Sequence, residues 1–173
     1  MYVCNMKFYN PFKYKFYSYK EIEDKLDYYI AMLMNLQKTE QFDCILAIET
    51  GGLHTAAIMN RYLRLPLYTI IQKSYDHENK RNSVIQINNG FDFNSLKGKR
   101  VLIIDDLIDS GASIQYCIDR LSLRNIDHSF VTIFWAEKGL KNIKPTSNTK
   151  LFYTLKKNIK PNKWIVFPWE TKI

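Results

Sequence analysis

The residues best suited to chemistry lie together at positions 100–115, which read RVLIIDDLIDSGASIQ. Residues 101–104 are aliphatic without alternation, a pattern typical of a strand that is buried on both faces of a parallel sheet. Asp105 and Asp106 follow at the carboxyl end of that strand, where open α/β sheets bind their ligands. Ionised carboxylates accept hydrogen bonds from hydroxyl groups and bind hard cations.

Small or hydroxylated side chains come next, and they predict a phosphate site. Such side chains leave backbone N–H groups open at the start of a helix, and the hydroxyls add further donors. Together with the carboxylates they indicate a ligand that carries both hydroxyl and phosphate groups, bound with a hard cation. The alternative is a buried strand followed by an ordinary capped helix, but three acids within five residues favour the ligand site. The residues of the phosphate site are Ser110, Gly111, Ala112 and Ser113.

Alternating strands and helices are predicted around this stretch. Ser18 and Glu21 have the spacing of a capping box, and apolar residues at helical spacing behind them predict a helix over residues 19–38. Strand–helix alternation predicts an α/β fold with a parallel sheet. Further helices are predicted at 53–63 and 112–123, strands at 44–48, 66–71, 130–134 and 151–155, a loop at 73–82 and a possible edge strand at 84–87.

Length and cysteine content predict one domain in a reducing compartment. The chain has 173 residues, enough for a substantial core and too few for two typical domains. Cys4, Cys44 and Cys117 have no C-x-x-C spacing, so neither a disulfide framework nor a zinc site is indicated. No apolar run reaches the roughly 20 residues that span a bilayer, and the first residues lack a signal-peptide pattern. We therefore expect a cytoplasmic protein without a membrane span.

Positive charge is concentrated towards the end of the chain. The formal net charge is +8, and residues 138–163 contain eight lysines and no acid. A solvated lysine-rich surface is the preferred interpretation, and electrostatic steering of a polyanionic substrate is a second one. A nucleic-acid surface is the least favoured, because aromatic residues do not alternate regularly with the basic ones.

Four separated segments resemble one family of enzymes. The spacing DD-x-x-D-S-G-x-S at 105–113 resembles the signature for phosphoribosyl pyrophosphate (PRPP) of type I phosphoribosyltransferases. Residues 74–81 (SYDHENKR), 130–134 (FVTIF) and 164–170 (WIVFPWE) resemble the mobile loop, a core strand and the base-covering hood of bacterial xanthine–guanine phosphoribosyltransferases. The resemblance implies an α/β, parallel-sheet type I fold with a small C-terminal hood. It implies a single domain over 1–173, with its core at about 18–155 and its hood mainly at about 138–173.

The resemblance also implies which residues bind PRPP. The aspartate pair would bind the ribose hydroxyls, with Asp106 on the side of a Mg²⁺ ion, and residues 110–113 would bind the 5-phosphate. A Gly-Gly turn would wrap the pyrophosphate, and an arginine at the end of the mobile loop would contact PRPP. The implied PRPP ligands are Thr50, Gly51, Gly52, Arg81, Asp105, Asp106, Ser110, Gly111, Ala112 and Ser113.

The base would meet a second set of residues. Asp109 matches a family aspartate beside purine N7, which implies a role as general base or in stabilising an oxocarbenium-like transition state; capping of the following helix is a compatible role. Trp164 would stack on the base, and the backbone of Ile165 would meet its 2-substituent edge. Trp169 is expected to be structural, and His54 is expected on a helix surface without a functional role.

This chain departs from the family pattern at three places. Thr50 replaces an arginine, which removes a bidentate phosphate donor, and Ala112 replaces a glycine, which is tolerable if its φ stays negative. Ala136 stands where the family has a lysine for the purine 6-oxo group, and the nearest lysine, Lys138, comes two residues later. If this connection differs from that of the family, for example by a bulge, Lys138 can read that oxygen; otherwise the base is not a standard 6-oxopurine.

The resemblance implies a Mg²⁺-dependent transfer of phosphoribose from PRPP to guanine, xanthine or hypoxanthine. The products would be a nucleoside monophosphate and pyrophosphate, as in purine salvage. A homo-oligomer, a dimer or tetramer, is expected. The alternative is a non-catalytic or retargeted regulator on the same fold that binds PRPP or a nucleotide, and RNA through its lysines.

Overall fold

The computed structural model describes residues 14–75, 81–87, 91–154 and 164–170. Strands and helices alternate along the chain, as the pattern predicts. The strands are β1 (Tyr14–Phe16), β2 (Cys44–Glu49), β3 (Leu67–Tyr75), β4 (Arg81–Ile87), β5 (Val101–Ile108), β6 (His128–Trp135), β7 (Thr149–Thr154) and β8 (Trp164–Val166). The helices are α1 (Tyr19–Glu40), α2 (Gly51–Leu63), α3 (Ala112–Ser122) and α4 (Glu137–Asn142), with a 3₁₀ turn over Phe93–Leu96.

Six of these strands form one twisted sheet in the order β4-β3-β2-β5-β6-β7. Every neighbouring pair is parallel except β3 with β4, which is antiparallel at the edge. β2 and β5 lie at the centre, with Ala47 opposite Ile104. In a parallel sheet the carboxyl ends of neighbouring strands meet at one edge, so the turns after β2 and β5 lie side by side.

Helices cover both faces of this sheet and explain its two hydrophobic cores. α1 and α2 pack on one face, and α3 and the 3₁₀ turn pack on the other. The first four residues of β5 point alternately into the two cores and are fully buried, which confirms the prediction for residues 101–104. Cys44 and Cys117 are buried in the second core, also as predicted.

Helix α1 begins as the sequence predicts. The Ser18 hydroxyl accepts a hydrogen bond from the Glu21 backbone N–H at 3.2 Å, and the Glu21 carboxylate accepts one from the Ser18 N–H at 2.8 Å. This capping box satisfies two N–H groups that the first turn would otherwise leave unpaired. Apolar side chains of the buried face, including Ile22 and Leu26, then fix α1 on the sheet.

The prediction of a loop over residues 73–82 is wrong for its two ends. β3 continues to Tyr75 and β4 starts at Arg81, and the two pair in an antiparallel hairpin. Polar side chains are compatible with such a strand at the edge of a sheet, since backbone groups make the pairing. The predicted edge strand over 84–87 is confirmed as part of β4. Residues 76–80 lie outside the described part of the chain.

The last strands belong to different sheets. β7 overlaps the predicted strand 151–155 but begins at Thr149 and ends at Thr154. It forms the outer strand of the large sheet. β8 pairs in parallel with β1, so a small two-stranded sheet joins the two ends of the described chain. The predicted hood over about 138–173 therefore includes one strand of the large sheet as well as the β8 segment.

Candidate active site

Two buried carboxylates lie side by side in β5. Asp105 is 8% exposed and Asp106 is half-buried. The Asp105 carboxylate accepts a hydrogen bond from the Asp106 N–H at 2.9 Å, and that of Asp106 accepts one from the indole N–H of Trp169 at 3.3 Å. Because β5 runs to Ile108, the pair lies within the strand and not after its last residue.

The surroundings of this pair favour the uncharged forms. Burial, and secondarily the charge of Asp106, raises the pKa of Asp105 well above its usual range. Burial, followed by the charge of Glu170, raises the pKa of Asp106 to about 6. Among the described residues the Asp106 and Trp169 N–H groups donate to this pair, and a cation or hydroxyl donors from a ligand would stabilise its negative charges further.

The backbone of the turn after β2 lies directly against these carboxylates. A Cβ atom at Gly51 would overlap the Asp106 carboxylate, and one at Gly52 would overlap the Ile104 carbonyl oxygen. A side chain at position 52 would meet backbone, and one at position 51 would require the Asp106 carboxylate to move. Thr50 precedes them as the exposed N-cap residue of α2, without a side-chain capping bond, and the Glu49–Thr50 peptide bond is cis.

A tight turn joins β5 to α3 and carries the predicted phosphate-binding residues. Gly111 is the N-cap residue of α3 and has a φ of +82°, which a side chain rarely adopts. Gly111 has no side chain that could cap this helix. The Ser110 hydroxyl accepts a hydrogen bond from the Ala112 N–H at 3.3 Å. Ala112 and Ser113 lie in the first turn of α3, where φ is negative, so the substituted alanine fits.

Helix α4 packs against this turn by backbone contact. A Cβ atom at Gly139 would overlap the carbonyl oxygen of Asp109, and one at Gly111 would overlap the carbonyl oxygen of Gly139. The Asn142 amide also donates a hydrogen bond to the Ser110 carbonyl oxygen at 3.1 Å. The segment that follows β6 is therefore fixed beside Asp109 and the start of α3.

The lysine displaced from its family position lies on α4. Ala136 is the N-cap residue of this helix, and its N–H donates a hydrogen bond to the Ile108 carbonyl oxygen at 2.7 Å. Lys138 is exposed in the first turn. The connection after β6 is thus a helical turn and not the expected bulged loop, and Lys138 is presented from it beside the Asp109 backbone.

The described C-terminal segment carries two tryptophans in different settings. Trp164 is 47% exposed in β8, whereas Ile165 is 5% exposed and packs in the first core, with its backbone paired to β1. Trp169 is half-buried, and its ring stacks with those of His54 and Phe167. The Glu170 carboxylate accepts a hydrogen bond from the Phe167 N–H at 2.9 Å, which closes the turn that carries Trp169.

The donor chemistry at β5 fits a hard cation such as Mg²⁺. Carboxylate oxygens are its preferred protein ligands, and it usually retains water and binds phosphate oxygens of a substrate. Within residues 14–75, 81–87, 91–154 and 164–170, no group of three or more His, Cys, Asp or Glu side chains could hold a metal ion. A cation at Asp106 would therefore complete its coordination with water and ligand oxygens.

Comparison with known proteins identifies the family. Residues 17–173 match the model of the phosphoribosyl transferase domain. The chain belongs to the phosphoribosyltransferase family. It is 32% identical over 143 residues to a xanthine-guanine phosphoribosyltransferase of Desulfotalea psychrophila, covering 82% of this chain and 79% of that one. The predicted resemblance is thus confirmed.

Two further relatives bear on fold and substrate. An orotate phosphoribosyltransferase of Rhizobium etli is 32% identical over 124 residues, 70% of this chain, although the match spans only about half (51%) of the relative. The crystal structure of a purine phosphoribosyltransferase from Pyrococcus horikoshii superimposes with a TM-score of 0.63 at 24% identity, covering 93% of this chain and 96% of that one. The chain therefore has the predicted type I phosphoribosyltransferase fold.

The phosphoribosyltransferase fold brings most of the predicted residues to neighbouring turns. The Thr50–Gly52 turn touches the Asp105–Asp106 pair, and the turn from Asp109 to Ser113 follows on the same strand. Arg81 is described only as the first backbone position of β4. Sequence reasoning left Trp169 and His54 without a role in this arrangement. The only signal for Trp169 was its place in the WIVFPWE segment.

No helix among the described residues is long and apolar enough to cross a membrane.

Proposed function

We propose that this phosphoribosyltransferase transfers the phosphoribosyl group of PRPP to a 6-oxopurine, namely guanine, xanthine or hypoxanthine. The observation that carries the proposal is the Asp105–Asp106 pair beside the Gly111 turn that opens α3, two chemically different sites on one strand–turn–helix unit. PRPP has the matching chemistry, because its ribose carries two hydroxyls and its 5-phosphate is an anion.

Each half of the unit binds one part of the substrate in this proposal. Asp105 and Asp106 accept hydrogen bonds from the ribose hydroxyls. These hydrogen bonds offset the burial that raises the pKa of both carboxyl groups. Backbone N–H groups and hydroxyls of residues 110–113 bind the 5-phosphate, and Gly51 and Gly52 bring backbone to the pyrophosphate. Mg²⁺, held by Asp106 through water, would neutralise part of the pyrophosphate charge.

Asp109 acts on the reacting base in this mechanism. When N9 of the purine forms its bond to C1 of the ribose, the bond from C1 to pyrophosphate breaks and the purine gives up a proton. A carboxylate beside the imidazole ring of the purine can accept that proton or stabilise the positive charge that develops at C1. The backbone contact with Gly139 fixes the position from which Asp109 acts.

The name of the Desulfotalea psychrophila relative supports a purine as the acceptor. The Rhizobium etli relative is named for orotate, and Ala136 removes the family lysine, so the acceptor needs a direct test. Incubation with PRPP, Mg²⁺ and guanine, xanthine, hypoxanthine, adenine or orotate separately, with pyrophosphate release as the measurement, provides it. Release with the 6-oxopurines alone supports the proposal. Release only with adenine or orotate, or with no base while PRPP still binds, contradicts it and favours a retargeted or regulatory protein.

Three properties remain predictions of the sequence. They are a cytoplasmic location, a homo-oligomer of two or four chains, and the absence of a nucleic-acid partner. Two lysines of the basic segment form ion pairs with acids of the protein: Lys141 with Glu137 at 2.6 Å and Lys150 with Asp127 at 3.3 Å.

Replacement of Trp164 by Ala is expected to raise the KM for the base about tenfold or more and to change the KM for PRPP little. The reason is that stacking contributes about 1–3 kcal/mol per base, and the exposed ring would contact only the purine. Steady-state kinetics with each substrate varied in turn measures both values. Tyr62→Ala is the control, because Tyr62 is a similarly exposed aromatic residue at the far end of α2. An effect confined to PRPP would show that Trp164 does not contact the base.

Replacement of Lys138 by Ala is expected to reduce kcat/KM for guanine, xanthine and hypoxanthine alike, by about tenfold or more, and to leave PRPP binding intact. A site built around a donor for the 6-oxo group loses that hydrogen bond when the donor is removed. The matched control is Lys141→Ala on the same helix, because Lys141 is also exposed but is paired with Glu137. Equal use of the three bases by wild type and Lys138→Ala would mean that another group reads the 6-position.

A further inference from the structure

The Asp106 carboxylate is held by a residue from a distant part of the chain. The indole Nε1–H of Trp169, 63 positions later, donates a hydrogen bond to Asp106 Oδ2 at 3.3 Å. Against the same carboxylate lies the Gly51 backbone, which leaves no room for a Cβ atom. Asp106 is thus enclosed between the first turn of α2 and the Trp169 ring.

Two stacked aromatic rings fix the plane of the indole. The His54 ring stacks on one face of the indole, with centroids 4.9 Å apart and planes 5° from parallel. The Phe167 ring stacks with centroids 4.8 Å apart and planes 10° from parallel. Phe167 is itself only 1% exposed and is anchored in the first core. The stacks hold the plane of the indole, and the hydrogen bond directs its N–H at Asp106.

A hydrogen bond to an ionised carboxylate is stronger than one between neutral groups, and it restricts rotation of the carboxylate. Trp169 therefore does more than fill space between His54 and Phe167. It holds Asp106 in one orientation before any ligand arrives, which lowers the cost of ordering that side chain on binding.

We propose that Trp169 is a positioning residue for PRPP, acting through Asp106 without touching the substrate. The inference rests on the proposed function, since it takes Asp106 to be a PRPP ligand. It gives the C-terminal segment a part in binding the phosphoribosyl donor, in addition to the role of Trp164 at the base.

The test removes the indole N–H group while keeping an aromatic side chain at position 169. Trp169→Phe keeps an aromatic side chain, and Trp169→β-(3-benzothienyl)alanine keeps the size and shape of the indole but has sulfur in place of N–H. The measurements are PRPP affinity with Mg²⁺ by calorimetry, KM for the accepted base, and the thermal midpoint. We expect PRPP affinity to fall about tenfold in both variants. We expect the thermal midpoint and the KM for the base to stay close to wild type in the benzothienyl variant.

Trp135→Phe is the control for replacing a tryptophan by phenylalanine, because Trp135 packs against the core on the other face of the sheet. It should leave PRPP affinity unchanged. PRPP affinity equal to wild type in the benzothienyl variant overturns the inference. A parallel loss of PRPP affinity, base affinity and thermal midpoint in that variant also overturns it, since packing alone would explain such a result. Failure of the wild-type protein to bind PRPP overturns the proposed function and the inference with it, and this outcome is visible before any variant is compared.

Discussion

Asp109→Asn is expected to lower kcat by about 10²-fold or more, which is the contribution of a positioned acid–base group. Asparagine keeps the size of the side chain but cannot accept the proton that the purine releases. The backbone contact of residue 109 with Gly139 does not depend on the side chain, so the turn and the fold should stay intact. Single-turnover kinetics with PRPP and the preferred base measures the chemical step directly.

Asp119→Asn is the matched control for this variant. Asp119 is an exposed aspartate on α3 that accepts a hydrogen bond from the Gln115 amide at 2.7 Å, and it lies two turns away from the proposed phosphate site. Its replacement should leave kcat unchanged. Near-normal turnover by Asp109→Asn with any accepted base would remove Asp109 from the mechanism.

Mg²⁺-dependent PRPP binding is expected to be lost, or weakened at least about a hundredfold, in Asp105→Ala and in Asp106→Ala. Each substitution removes a buried carboxylate that would accept hydrogen bonds from the ribose or hold the cation, and hydrogen bonds to charged groups contribute about 1.5–3 kcal/mol each. Calorimetric titration of PRPP with and without Mg²⁺ measures the effect. Unchanged affinity in both variants would rule out this site.

The raised pKa of Asp106 should make PRPP affinity and the free energy of unfolding respond to pH in opposite directions. Since the pKa of Asp106 is raised from 3.8 to about 6, PRPP affinity should fall as the pH is lowered through about 6 and the carboxylate becomes protonated. A folded-state pKa above the unfolded value adds stability that is fully present below pH 3.8 and is lost as the pH rises through about 6. Calorimetry and thermal unfolding of the ligand-free protein at pH 7.5 and pH 5.5 separate the two effects. A PRPP affinity that does not change over this range would contradict the raised pKa.

Local pattern was sufficient to predict the centre of the fold. The aliphatic run before Asp105 and the capping box at Ser18 each depend on residues a few positions apart, and the structure confirms both. The end of β5 could not be predicted in this way. Its pairing with β6 continues through Asp105 opposite Thr132 and Ile108 opposite Trp135, because backbone groups pair regardless of side-chain polarity.

Long-range contacts explain what sequence reasoning missed at the site. Gly51 and Gly52 are expected from the family pattern to wrap phosphate, yet Gly52 also packs on the β5 backbone and Gly51 on the Asp106 carboxylate. The hydrogen bond from Trp169 to Asp106 spans 63 positions, and no spacing rule connects two residues so far apart. His54 likewise gains its partner only when α2 and the C-terminal segment meet.

The contact between Gly111 and Gly139 has a consequence for how this enzyme could evolve. Where two backbones touch and neither position can carry a side chain, α4 and the turn before α3 cannot slide past one another. A descendant with a different acceptor could not obtain it by moving α4, since the turn proposed to bind phosphate would be displaced as well. Change is left to the exposed side chains of the helix, such as Lys138, which can be exchanged one at a time. Selectivity for the acceptor can therefore change through side chains of α4 without a change in donor binding, although the backbones of α4 and the Gly111 turn must move together.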